Sequence, residues 1–144
     1  MQPFMQVVRD ALVAAGFDRA EEASHTAESD HFGDAEAIFR LGSLLLRFVR
    51  DRLQVFVDLG SVTSPTTFHQ FDDVEIAMGW KTIDEVLAKR EPDDLVAVLT
   101  RIHDYAANLE SAFSDDQVRL TRARIERAAR DRGEKFVSQL RTKA

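Results

Sequence analysis

The chain has 144 residues, of which 44% are hydrophobic and 31% charged, and it has no cysteine. That length suits one domain able to bury a core without a metal or disulfide, and the missing thiols exclude cysteine nucleophiles, Fe–S clusters and Cys-rich zinc sites. The net charge of −6 is unevenly spread, with 20 acids against 10 bases over residues 1–113 and 5 against 9 over residues 114–144.

Phe4, Val7, Val8, Ala11, Leu12 and Ala15 recur at helical spacing between Pro3 and Gly16, which predicts a helix over residues 3–15. Arg9 and Asp10 lie inside this amphipathic pattern, so the segment lacks the unbroken apolar run of a signal peptide. No stretch approaches the ~20 apolar residues of a membrane helix. The expectation is a cytoplasmic protein with no membrane contact.

The stretch from Asp18 to Glu36 follows, with seven acids (Asp18, Glu21, Glu22, Glu28, Asp30, Asp34, Glu36) against the single base Arg19. Such a run is a solvated loop, an internal complement to the basic C-terminal piece, or a docking surface for a cationic partner. Its weak pattern assigns no element, although Ala20–Ala27 has the makings of a short helix.

From Ala35 the period becomes two, which predicts three consecutive strands, Ala35–Leu41, Ser43–Arg50 and Leu53–Leu59, with turns at Gly42-Ser43 and Asp51-Arg52. Leu44, Leu46 and Phe48 share one face, as do Leu53, Val55, Val57 and Leu59, and these define the core side. Leu45, Val49 and Phe56 lie on the other face, interleaved with Arg47, Gln54 and Asp58, so that side is only partly apolar and open to a partner. Gly60–Gln70, rich in Ser and Thr, reads as a loop.

Residues 72–78 fit either a short helix capped by Asp72 or Asp73 or a fourth strand through Val74 and Ile76. Thr82-Ile83-Asp84-Glu85 has the form of a capping box before a helix carrying Val86 and Leu87, ended by Arg90-Glu91-Pro92. Leu95, Val98, Leu99, Ile102, Ala106, Leu109 and Phe113 form one stripe, which predicts a single helix of about five turns. Ser114-Asp115-Asp116-Gln117 repeats the capping pattern and opens a last helix rich in arginine, with Gly133 a possible break.

The histidines His25, His31, His69 and His103 show no metal-binding spacing. His31 with Asp30 and Asp34 is the best metal-like cluster, yet a loop fixes such ligands poorly. His103 and Asp104 point about 100° apart on a helix, which argues against a dyad and leaves His103 at the surface. Asp72, Asp73 and Glu75 read as turn or cap residues rather than paired hydrolytic carboxylates. Phosphate-binding glycine motifs and a G-x-S-x-G elbow are absent. The expectation is no catalytic set, cofactor or metal.

Arg119, Arg122, Arg124, Arg127 and Arg130 on the last helix invite a nucleic-acid reading, but Glu126, Asp131 and Glu134 interrupt them and the whole chain is acidic, which disfavours it. Arg47, Arg50 and Arg52, with Asp51 and Asp58, cluster around the central hairpin. Trp80 is an interface anchor or, more commonly for a lone tryptophan, a core residue.

The stretch DHFGDAEAIFRLGSLLLRFVRDRLQVFVDLGS, Asp30 to Ser61, followed by Trp80 and amphipathic helices, resembles small acidic bacterial proteins of the immunity type, which neutralise a toxin by binding it. The resemblance implies a protein partner, a basic toxin among the candidates, and assigns no residue a role. Residues 1–144 are thus read as a single α+β domain: an N-terminal helix, a three-stranded antiparallel meander and C-terminal helices packed on one face. The expected function is non-enzymatic protein binding through Asp18, Glu21, Glu22, Glu28, Asp30, Asp34, Arg47 and Asp58. The alternative is a regulatory or nucleic-acid-associated protein using the Arg-rich helix. Nothing in the sequence sets an oligomeric state.

Overall fold

The computed structural model describes residues 3–18, 20–24 and 35–143. Helix α1, Phe4–Ala14, ends where the sequence predicts. Gly16 takes φ +100, and the N–H groups of Gly16 and Phe17 donate to Val13 and Leu12 carbonyls, a Schellman stop that glycine makes cheap.

The sheet is antiparallel and five-stranded, in the order β1-β2-β3-β4-β5, with β1 Glu21–Ser24, β2 Ala35–Leu41, β3 Leu44–Asp51, β4 Gln54–Ser61 and β5 Ser64–Gln70. The three predicted strands are its centre, and a strand is added at each edge. The β1 segment is a strand where a helix had looked possible, because Glu21 and Glu22 pair with Arg40 and Phe39 of β2. Four residues are too few to show a period. The β5 segment is a strand despite a Ser, Thr and Pro content that suggests a loop, because an edge strand tolerates Pro65 and favours β-branched Thr66 and Thr67.

The second hairpin turn falls on Arg52-Leu53, one residue later than expected. Asp51 pairs with Gln54, and Arg52 at φ 60 supplies the positive φ of the first turn position. Leu53 is therefore 85% exposed at the turn rather than part of the core face.

Residues 71–77 are helical: α2, Phe71–Ala77, buries Phe71, Asp73, Val74 and Glu75. Neither Asp72 nor Asp73 caps it, since the N-cap is Gln70. Helix α3, Ile83–Ala88, opens on the predicted Thr82/Glu85 capping box. The expected single helix over 95–113 is two, α4 Leu95–Asp104 and α5 Ala106–Ala112, because Tyr105 leaves helical geometry (φ −104, ψ 14) while its ring stacks on Trp80 at 3.8 Å. The apolar stripe continues across the break, with Leu99, Ile102, Leu109 and Phe113 all buried.

Helix α6, Val118–Lys143, runs through Gly133 without a break. Ser114 does not cap it; its hydroxyl donates to the Ser111 carbonyl at 2.7 Å.

The helices bury one face of the sheet. The core takes Ala37 and Phe39 from β2, Leu44, Leu46 and Phe48 from β3, and Val57 and Leu59 from β4, against Phe4, Val8 and Leu12 of α1, Leu99 and Ile102 of α4, and Ile125 of α6. Hydroxyl groups tie the turn ends of the sheet to α5, Ser43 donating to the Glu110 carbonyl at 2.6 Å and Ser61 to the Phe113 carbonyl at 2.8 Å. No helix among the described residues is long and apolar enough to cross a membrane.

Candidate functional site

The opposite face of the sheet carries Ile38, Leu45, Arg47, Val49, Phe56, Asp58 and Phe68, as the alternation of side chains along paired strands requires. None of these residues belongs to the core cluster or its packed margin. Phe56 is 43% exposed, whereas Leu45 is covered.

At the centre of this face Arg47 and Asp58 lie directly opposite each other on β3 and β4, with Arg47 Nη2 2.8 Å from Asp58 Oδ2. The Arg47 guanidinium also sits over the Phe68 ring, 4.5 Å from its centroid. Gly60 allows this arrangement: a Cβ there would lie 2.7 Å from the Thr67 carbonyl oxygen and 2.9 Å from the Phe68 ring. Arg47 Nε is buried with no hydrogen-bond partner among the described residues. Two of the expected binding residues are thus brought together, and Phe68, which the loop assignment hid, completes the group.

Beside them β5 ends at Gln70, opposite Asp58, so among the described residues Gln54–Val57 of β4 have no strand on that side. Because Asp51 and Gln54 close a two-residue turn, ladder alternation points the N–H and C=O groups of Val55 and Val57 toward this open edge. A groove of about 660 Å³ lies there, lined by Val49, Phe56 and Phe68 from the sheet and by Phe71, Leu95 and Val98 from the helices.

Ion pairs rim the groove. Lys89 bridges Asp72 (3.1 Å) and Asp93 (3.4 Å), Asp93 meets Arg101 (2.9 Å), and Arg101 holds the buried Glu75 through two bonds of 3.2 Å. Burial works against charge on both Lys89 and Asp93. Hydrogen bonds and charge nevertheless raise Lys89 through Asp72 and Asp93, and lower Asp93 through Arg101 and Lys89. These two groups stay charged across the neutral range, which suits them to orienting a bound chain. Asp72, Asp73 and Glu75 bind cations of other helices rather than one another; Asp73 is held by Arg132 of α6 at 2.6 and 3.1 Å.

The other expected binding residues are not gathered into this site. Asp18 is exposed just after α1, and Glu21 and Glu22 lie on edge strand β1, across the sheet from the groove. Glu28, Asp30 and Asp34 fall outside the described residues, as do His25 and His31. His103 is exposed, edge-on to Phe17 at 5.0 Å. His69, on the core side of β5, is pushed below its ordinary value by burial, while the charge of Glu126 opposes the shift. Among the described residues no three His, Asp or Glu side chains are placed to hold a metal ion.

Comparison with protein-family models, with curated proteins and with solved structures finds no match to this chain.

Proposed function

We propose that this chain is a non-enzymatic protein-binding domain whose partner docks on the uncovered sheet face and the adjoining β4 edge. The observation carrying this reading is the exposed Phe56, flanked by the part-buried Val49 and Phe68 outside the core cluster, beside backbone groups with no strand partner among the described residues. Open strand edges pair readily with a further extended segment, and alternate side chains then supply specificity. A partner strand laid along Val55–Val57 would place its side chains alternately against Phe56 and into the groove.

The partner proposed is a basic toxin, neutralised in the cytoplasm of a bacterial cell, in keeping with the immunity-type resemblance. The acidity of residues 1–117, 22 acids against 10 bases, supports it by complementarity. In this reading the sheet face supplies contact area and the Asp18–Glu36 stretch accelerates encounter.

The test is co-expression with the product of a neighbouring toxin-like reading frame. A stable complex that Phe56→Glu abolishes is expected. Joint reversal of Glu21, Glu22 and Glu28 to Lys should slow association. A complex indifferent to Phe56→Glu would remove the sheet face from the interface, and wild-type association by the triple variant in low salt would remove the acidic stretch.

A further inference from the structure

Helix α6 is 26 residues long, about 39 Å, but the body covers only its first part. Val118, Thr121, Ile125 and Ala128 are buried, and the last ties are Arg132 to Asp73 and Lys135 to Asp84 (2.6 Å). Beyond Lys135 the side chains of residues 136–142 are exposed, with Ser138, Gln139 and Thr142 bordering Leu87, Ala88 and Arg90 of the α3 end.

That exposed end is not uniformly polar. Ala129, Gly133, Phe136 and Leu140 follow one another at spacings of four, three and four, the seam of a two-helix contact. Phe136, Val137 and Leu140 are 49%, 44% and 54% exposed. A Cβ on Gly133 would meet nothing within 4 Å, so no close approach inside this molecule calls for a glycine that weakens the helix. An open notch of about 470 Å³ runs along this side of the helix at Gly133, bordered by Ala129, Arg130, Glu134, Val137 and Arg141.

Charge selects the occupant. Residues 129–143 hold 5 bases against 2 acids; Arg132 and Lys135 are tied to Asp73 and Asp84, which leaves Arg130 and Arg141 as the cations at the notch, with Glu134 between them. A second α6 would bring like charge to like. A flat anionic bilayer or a nucleic-acid duplex would bring the acidic body toward its own charge, whereas a single helix can lie along the Phe136–Leu140 face alone.

We propose that the exposed end of α6 docks an acidic amphipathic helix of a partner protein. The partner's apolar stripe lies on Phe136, Val137 and Leu140, one large side chain enters the notch at Gly133, and its carboxylates meet Arg130 and Arg141. This surface is separate from the uncovered sheet face, and either can stand without the other.

The experiment titrates the full chain into a fluorescein-labelled synthetic helix with a leucine seam and glutamate flanks, beside a control helix with the same seam and lysine flanks. Anisotropy should report binding of the acidic helix alone, weakening as salt rises from 0.01 to 0.15 M and the Debye length shortens from about 30 to about 8 Å. Gly133→Leu and the pair Arg130→Glu/Arg141→Glu should each weaken it by about tenfold, and Phe56→Glu should leave it unchanged. Gly133→Leu should also raise the melting temperature by improving helix propensity, so lost binding cannot be ascribed to lost folding. Equal binding of both helices, or wild-type binding by both variants, would overturn the proposal. So would preference for anionic vesicles or duplex DNA over the acidic helix, or self-association that strengthens with salt and is lost in Phe136→Ser/Leu140→Ser.

Discussion

The two faces of the sheet are built from the same strands, yet they differ in how they are covered. On the covered face Leu44, Leu46, Phe48 and Leu59 are fully buried under helices, while on the other Phe56 is 43% exposed and Arg47, Asp58 and Phe68 form a polar–aromatic cluster. Burial of apolar area stabilises the fold on the first face, whereas the area left on the second contributes little until something covers it. A sheet with one helix layer therefore separates the residues that hold the fold from those free for the proposed recognition by residue parity alone.

The largest expected effect comes from the covered face. Phe48→Ala should cost about 3–5 kcal/mol and Leu99→Ala, in the helix above it, about 2–5 kcal/mol, against about 0.5 kcal/mol or less for Phe56→Ala. Urea denaturation midpoints measure all three. A Phe56→Ala loss equal to that of Phe48→Ala would abolish the distinction between the faces.

Next is the charged latch that holds the helix layer in place. Arg132→Ala leaves Asp73, 5% exposed, without its cation, and should cost about 3 kcal/mol. Adding Asp73→Leu should recover much of that loss, because the penalty lies in the orphaned buried charge. Failure of the double variant to recover would show that Arg132 acts through packing instead.

A smaller effect is expected from His69, also on the covered face. Burial holds it below its ordinary 6.5, so the unfolded chain binds the proton more readily. Stability is fully present above pH 6.5, declines as pH falls toward the folded-state value, and levels off below it. His69→Gln should flatten this part of the profile, as followed by denaturation at a series of pH values.

Smallest of all, Phe56→Glu should leave stability within about 0.5 kcal/mol of wild type while eliminating binding. Loss of stability with retained binding would reverse the assignment of the faces.

Strands β2, β3 and β4 were legible in the sequence because alternation runs through seven or eight residues of each. Strand β1 was too short to alternate, and the Ser/Thr/Pro composition of β5 imitates a loop until pairing with β4 is known. The break at Tyr105 has no sequence signal, since the apolar stripe passes through it unchanged. Arg47 and Asp58 were visible as neighbours of the central hairpin, but their pairing follows from register. The groove was not legible, because Phe56, Phe71 and Leu95 come from three separate segments. The fit of Phe68 against Gly60 was not legible either, because the two meet only through the β4–β5 register.

The central proposal, that the uncovered face is the recognition surface, is most directly tested by amide hydrogen exchange with and without a toxin that co-purifies with the chain. Alone, the Val55 and Val57 amides should exchange rapidly, having no strand partner, while Leu46 and Phe48 in the centre of the sheet should exchange slowly. In the complex, new protection at Val55, Val57 and neighbouring parts of β4 is expected. Protection confined to the helix layer, or none at all on mixing, would contradict the account.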